Sequence, residues 1–390
     1  MVGPLSRVSR PPRLFRFRGG PRILGVATQV AQAAGPCARS RGPGRPHRPR
    51  CSLEGSDQGA GRLVEGSAEV GSEAWLDHVF VRDVKNDLFD GHRPRRNPIL
   101  ILLGGQPAAG KTRAQFAVTA EYRSEDLVEI TGDDLREFHP AYRHLALEEP
   151  LAMPNETAPV SGGLVRRALE YGRSHRYSIL LEGTFRDAAM VTATVRRFAS
   201  AGYRVHVVAV STPPAVSRLS AEERSLDRGY PHLGRWTPPS AHESALAEAA
   251  NVVAALEALP HVSRMDVFSR SGRLYTNERG VDGSWLISVA CERVFREHQA
   301  QSLSAEDARL WLLRFAEAFA KAVGRPAYLG AETGSAYIRL QHDAQSMIDL
   351  LTETGNTPVM SFVQQQSERN DVLRQMLPAD LLATLPLPGE

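Results

Sequence analysis

The sequence predicts an α/β fold: a mainly parallel sheet flanked by helices, with extra C-terminal helices and a disordered N-terminal arm. Three observations predict it. Short apolar runs alternate with amphipathic helical stretches from about residue 99 to residue 211, the pattern of right-handed βαβ crossovers. The first run, Ile99–Leu103, leads directly into Gly105-Gln106-Pro107-Ala108-Ala109-Gly110-Lys111-Thr112, which matches G-x-x-x-x-G-K-[ST]. Polar groups then cluster at the ends of the later runs, the sheet edge at which open α/β folds bind ligands.

Taken in order, Trp75–Phe89 has helical spacing, with Leu76, Val79, Phe80, Val84 and Leu88 available for a buried face, and stops at Asp90-Gly91. Strand Ile99–Leu103 precedes the Gly-rich loop and helix Arg113–Tyr122. Strand Leu127–Thr131 ends in Gly132-Asp133-Asp134. Helix Gly162–Ser174 leads to strand Ser178–Leu181, which ends in Glu182-Gly183-Thr184. Helix Ala188–Ala201 stops at Gly202 before strand Val205–Ser211. Ser240–Leu259 is an Ala-rich amphipathic helix ended by Pro260, and Met265–Tyr275 reads as a hairpin around Ser271-Gly272. Residues 303–325 and 335–354 have helical apolar faces, whereas Pro378–Glu390 reads as a loose end. These elements divide into an arm (1–60), a catalytic domain (74–285) and a C-terminal helical region (286–380), with no internal repeat.

Glycines at both ends of the loop let the backbone close around a phosphate, aiming a nest of N–H groups and a helix N-terminus at it. The loop thus places the chain in the P-loop NTPase and kinase class. ATP and Mg²⁺ are the expected cofactors. Gly105, Gln106, Pro107, Ala108, Ala109, Gly110, Lys111 and Thr112 form the nucleotide site, with Lys111 on the β- and γ-phosphates and the Thr112 hydroxyl on Mg²⁺.

Downstream stand Asp133-Asp134-Leu135-Arg136-Glu137-Phe138-His139-Pro140-Ala141-Tyr142, then Glu182-Gly183-Thr184-Phe185-Arg186, then Arg224 and Arg235-Trp236-Thr237-Pro238. The set resembles the zeta-toxin kinases, whose pattern runs G-G-Q-x-x-x-G-K-T, D-x-[FL]-[RK]-x-x-H-P-x-[YF], E-G-T-x-R and an Arg-containing lid ending R-x-T-P. The resemblance covers about Asn97 to Gly280. On chemical grounds alone, phosphoryl transfer to a hydroxyl needs a carboxylate at the acceptor and cations against the developing charge. Asp133 stands at the end of the strand that follows the loop in sequence and suits the first task, with Asp134 as its local competitor; Asp is equally a favoured helix N-cap.

The resemblance agrees on Asp133 as base. It further implies that Glu182 and Thr184 hold the acceptor sugar with Arg186 near its diphosphate, and that Arg224 and Arg235 in the lid stabilise the transition state. His139 reads as a packing or capping residue. The implied reaction is ATP-dependent phosphorylation of the 3′-hydroxyl of the amino sugar in UDP-N-acetylglucosamine, with a small helical antitoxin as partner. One departure concerns the acceptor: where the family carries a glutamate sixteen residues before the E-G-T glutamate, this chain has Arg166, with Glu170 one turn on. Another nucleotide acceptor, such as a nicotinamide dinucleotide, is the alternative reading, and a non-enzymatic nucleotide-dependent module is the third.

Charge argues against nucleic acid as the partner of the catalytic part. Residues 1–53 hold eleven Arg and no Lys, Asp or Glu; the other 36 basic residues face all 44 acids, a formal charge of −8. The Arg-, Pro- and Gly-rich arm has too few apolar residues for a core. Its composition also fits an organelle transit peptide or a polyanion-binding tail, but a functionless extension or translated upstream sequence is preferred. Cys37, Cys51 and Cys291 have no metal-ligand spacing, and no run reaches the ~20 apolar residues that span a bilayer, so a reducing cytoplasm is the expected location.

Overall fold

The computed structural model describes residues 68–227, 235–355 and 359–389. The arm and the segment 228–234 between the two lid arginines lie outside the described residues. Everything that follows lies within the unit Val64–Glu390.

Helix α1 (Glu73–Val79) is capped by Ser72, whose hydroxyl accepts the Trp75 N–H, and passes through a π-helical turn (Phe80–Val84) into α2 (Lys85–Phe89). The extra residue of a π turn rotates the helix face. Phe89 is therefore buried where the 3.6 periodicity predicts Leu88.

Next come β1 (Ile99–Gly104), α3 (Lys111–Glu121), β2 (Val128–Thr131), the short α4 (Gly132–Leu135), α5 (Tyr142–Glu148) and α6 (Met153–Ser174). After them run β3 (Ile179–Gly183), α7 (Ala188–Ser200), β4 (Arg204–Val210), α8 (Pro214–Leu226), α9 (Pro239–Glu257), β5 (Arg264–Phe268) and β6 (Arg273–Glu278). The strands form one sheet in the order β2-β3-β1-β4-β5-β6. Every pair is parallel except the β5–β6 hairpin. All six residues of β1 are buried, as a strand covered on both faces must be.

Register is what builds the site. Gly104 of β1 lies opposite Gly183 of β3, and Thr131 of β2 lies opposite Glu182. The phosphate loop, the Asp133 turn and Glu182 thus leave the sheet at one level, along its C-terminal edge.

Four more helices close the chain: α10 (Cys291–Gln299), α11 (Ala305–Val323), α12 (Ala331–Glu353) and α13 (Val359–Met376), followed by the short α14 (Ala379–Thr384). One apolar core lies on each face of the sheet. A separate core joins α11, α12 and α13 to Ala215, Leu219 and Leu226 of α8.

Several expectations change. Helix α6 starts at Met153 rather than Gly162, with Pro154 in its first turn, where a missing N–H costs nothing, and Pro159 carried inside. Helix α8 was not expected, and α10 and α13 fall within the expected C-terminal helical region without having been placed individually. The tail is packed rather than loose: Leu387 is buried, and His342 Nε2 sits 2.8 Å from the Pro386 carbonyl.

Candidate active site

The loop between β1 and α3 has the backbone its glycines foretell. Gly105 has φ +153° and Gly110 φ +98°, while Ala108 at φ +56° takes the left-handed region without a glycine. A Cβ on Gly105 would come within 2.5 Å of the Val210 carbonyl oxygen, so only glycine fits there. Around this cradle the chain supplies a frame from distant segments. The Gln106 amide donates to Thr212 O at 2.7 Å, and the Thr212 hydroxyl donates to Ala109 O at 2.7 Å. Arg270, from the β5–β6 turn, donates to Ala108 O, and Arg113 donates to Arg270 O at 2.8 Å.

Lys111 opens α3 and folds back over the loop, its ammonium donating to Gly105 O and Gln106 O, both at 3.3 Å. Glu182 Oε1 stands 3.9 Å away. Burial lowers the Lys111 pKa, and the Glu182 carboxylate opposes that shift. Thr112 is the second residue of α3 and is exposed at the loop's mouth. The positive-φ loop and its folded-back ammonium fit a triphosphate, a polyanion that needs N–H groups and one point charge.

Asp133 sits in the first turn of α4, immediately beyond β2. Its Oδ1 accepts from Arg136 Nε at 3.2 Å and its Oδ2 from Arg235 Nη1 at 3.3 Å, while the second Arg235 nitrogen reaches Asp134 Oδ1 at 3.2 Å. Burial pushes the Asp133 pKa up. The guanidiniums of Arg235, Arg136 and Arg224 outweigh it and leave the carboxyl below its ordinary value. Glu182 moves the other way: burial and the neighbouring Asp133 and Asp134 raise it against the pull of Lys111. Two carboxylates of one site are thereby driven apart in acidity, a common mark of divided labour.

Arg224 lies in the last turn of α8 and donates to the Thr237 hydroxyl at 2.9 Å. Its side chain is exposed, yet it feels the charges of Asp133, Arg235 and Glu182, and the loss of hydration beside them lowers its pKa. The expected set Lys111, Asp133, Glu182, Arg224 and Arg235 is therefore gathered in one place. Thr184 and Arg186 follow Glu182 in the turn after β3, half-buried and exposed respectively, outside this ring of charge contacts. The His139 Nδ1 accepts the Ala141 N–H at 3.1 Å, a local turn contact. Arg166 pairs with Glu73 of α1 at 2.6 Å and Glu170 with Arg173 at 2.5 Å.

Sequence reasoning gave no role to Arg136, Thr212, Thr237 or Arg270. Arg136 lies inside the quoted motif, three residues after Asp133, so helical spacing could have found it. Thr237 lies inside the quoted Arg235-Trp236-Thr237-Pro238, whereas Thr212 and Arg270 meet their partners only through the fold. Among the described residues no His, Cys, Asp and Glu group forms a metal cage, and no helix is long and apolar enough to cross a membrane.

A family model described as zeta toxin matches residues 85–280. Toxin PezT of Streptococcus pneumoniae serotype 4 is 30% identical over 195 residues, covering 50% of this chain and 76% of that protein. Toxin zeta of Enterococcus hirae is 25% identical over 198 residues, 50% of this chain and 69% of that protein. A solved structure of the PezAT chromosomal toxin-antitoxin system of Streptococcus pneumoniae has the same fold, with a TM-score of 0.52 at 24% identity over 63% of this chain and 97% of that one. The family match contains the phosphate loop, the Asp133 turn, Glu182, Arg224 and Arg235, and the chain belongs to the zeta toxin family.

Proposed function

We propose that this chain is an ATP-dependent kinase of zeta-toxin type that phosphorylates the 3′-hydroxyl of the amino sugar of UDP-N-acetylglucosamine, and that it acts as the toxin of a toxin-antitoxin pair. The observation that carries the reading is the convergence of Lys111, Asp133, Glu182, Arg224 and Arg235 beside the phosphate loop. When bound, Mg-ATP supplies the γ-phosphoryl group. Gly105–Thr112 would hold the phosphates, with Thr112 at the metal.

Asp133 stays ionised at neutral pH because three guanidiniums face it. The same cations make it a weak base, which suits a loose transition state in which orienting the acceptor hydroxyl matters more than early proton removal. Arg235 pairs with Asp133 and Asp134, which sets a cation for the developing charge beside the carboxylate that would orient the acceptor. Lys111, whose side chain is only 11% exposed, is the cation whose field is strengthened by burial beside the phosphate loop. The names of PezT and of the PezAT system support the toxin and antitoxin roles.

Mass spectrometry tests the proposal. Purified protein with UDP-N-acetylglucosamine and Mg-ATP should yield the monophosphorylated sugar nucleotide, and Asp133→Ala should cut turnover by ~10²–10⁴-fold while retaining ATP binding. ATP binding without turnover of that substrate would overturn the acceptor. A second reading, a different nucleotide acceptor, is favoured by Arg166: it stands where the family pattern has a glutamate and is engaged by Glu73. A panel of nucleotide acceptors in the same assay separates the two.

A further inference from the structure

The family match ends at residue 280 and includes Thr237, which Arg224 contacts, yet the helix turn that carries Arg224 is held from beyond it. Arg224 lies in the last turn of α8, where a helix leaves its final carbonyls without intrahelical partners. Arg325, in the turn between α11 and α12, donates to Ser225 O at 3.4 Å and to Leu226 O. The Tyr328 hydroxyl contacts Ser225 Oγ at 2.9 Å and donates to Glu222 Oε2 at 3.0 Å, with all three side chains buried. Glu223 is held by Arg314 of α11.

Helix geometry makes this arrangement selective. Residues 222, 225 and 226 share one face, at spacings of three and four, whereas 224 falls two residues, about 200°, from 222. Every neighbour of Arg224 from 222 to 226 is tied to the C-terminal helices. Arg224 alone turns to Thr237 and to the charges of the phosphoryl-transfer site.

We propose that Tyr328 and Arg325 are positioning residues for Arg224, so that the C-terminal helices form a working part of the site rather than an appendage. The proposal rests on the reading of Arg224 as a cation of a nucleotide-dependent phosphoryl-transfer site. Tyr328 makes the narrowest test, because Tyr328→Phe removes one hydroxyl and keeps the ring that stacks edge-on with Tyr337.

Three measurements on the full chain decide it: amide hydrogen exchange at residues 222–227, affinity for ATP against ADP by calorimetry, and the same affinities in Arg224→Ala and in the double variant. The expected result is faster exchange confined to that turn and a loss of ATP-over-ADP preference of about tenfold, the size of one buried hydrogen bond to a charged group. The double variant should lose no more than Arg224→Ala alone. As a control, Leu373→Ala should lower the melting temperature through the C-terminal core and leave the preference intact. An unchanged preference in Tyr328→Phe beside a lost one in Arg224→Ala overturns the positioning role, as would a fully additive double variant. If the wild-type chain binds no nucleotide while exchange still responds, the functional reading is at fault and the hydroxyl is a structural clamp only.

Discussion

As the proposed base, Asp133 carries two demands that pull against each other, and the residues around it decide the balance. A base must be ionised, yet the cations that keep it so also make it less basic. Burial alone would raise its pKa; Arg235, Arg136 and Arg224 bring it below the usual carboxylate range, so its protonation limits activity only in acid. Arg136 is the most separable of the three, since its guanidinium also donates to Pro154 O and the Thr157 hydroxyl, both at 2.7 Å, and thereby fixes Asp133 to α6. Arg136→Ala should therefore do two things. The acid limb of the kcat/KM profile should move to higher pH, because one of the charges favouring the carboxylate is gone. The rate at neutral pH should fall by ~10–100-fold through lost orientation. A pH series on both proteins checks this, and an acid limb that stays put would detach Arg136 from Asp133. At this scale much of the site was legible. The loop, Asp133 and Glu182 lie in short motifs at strand ends, whereas Arg224 and Arg235 stood out only through the family resemblance. Arg270 and Thr212 were not legible, because their contacts join residues 162 and 103 positions apart through the fold.

Strands were easier to read than helices because a strand buried on both faces is a plain apolar run, as β1 is, while a helix needs its periodicity intact. Helix α13 hides its periodicity by burying Gln366, Arg369 and Asn370. They are satisfied by Gln341 of α12, whose amide donates to Gln366 O at 3.2 Å and Asn370 Oδ1 at 2.7 Å and accepts from Arg369 Nε at 3.1 Å. Such a network cannot be seen from either segment alone. Helix α10 was missed for a related reason: its cap is supplied from another helix. The buried Glu257 of α9 accepts the N–H groups of Ala290, Cys291 and Glu292 at 3.0, 2.7 and 3.1 Å, placing a carboxylate on the positive end of α10. Glu257→Ala should leave three donors unpaired and cost ~2–4 kcal/mol, above the 1–3 kcal/mol of one orphaned group. Denaturant unfolding measures it. In a background lacking Cys37 and Cys51, the buried Cys291 thiol should also label faster as α10 frays. Unchanged stability with unchanged labelling would show that water replaces the carboxylate at no cost.

At the scale of the whole molecule, the family segment 85–280 shares its packing with the helices that follow it. Helix α8 belongs to it by sequence, yet its Ala215, Leu219 and Leu226 are buried in a core whose other members come from α11, α12 and α13. Polar ties run the same way: the Trp311 indole donates to Ala215 O at 2.9 Å, and Arg218 bridges Glu243 of α9 at 2.8 Å and Asp343 of α12 at 2.9 Å. Cutting the chain after residue 285 would expose that apolar face, at ~1.5–3 kcal/mol for each large side chain returned to water, and would strip α9 of the helix its Glu257 caps. Since whole domains are stable by only ~5–15 kcal/mol, a loss spread over several such residues is enough to unfold it. A fragment of residues 68–285 should therefore aggregate or melt without cooperativity, whereas 68–390, which retains both sheet cores and the C-terminal core, should unfold in one transition. Circular dichroism melts and size-exclusion chromatography of the two fragments provide the comparison. A soluble, cooperatively melting 68–285 fragment that binds ATP would mean that α8 holds its own geometry, and that the C-terminal helices are an independent addition to a catalytic core that does not need them.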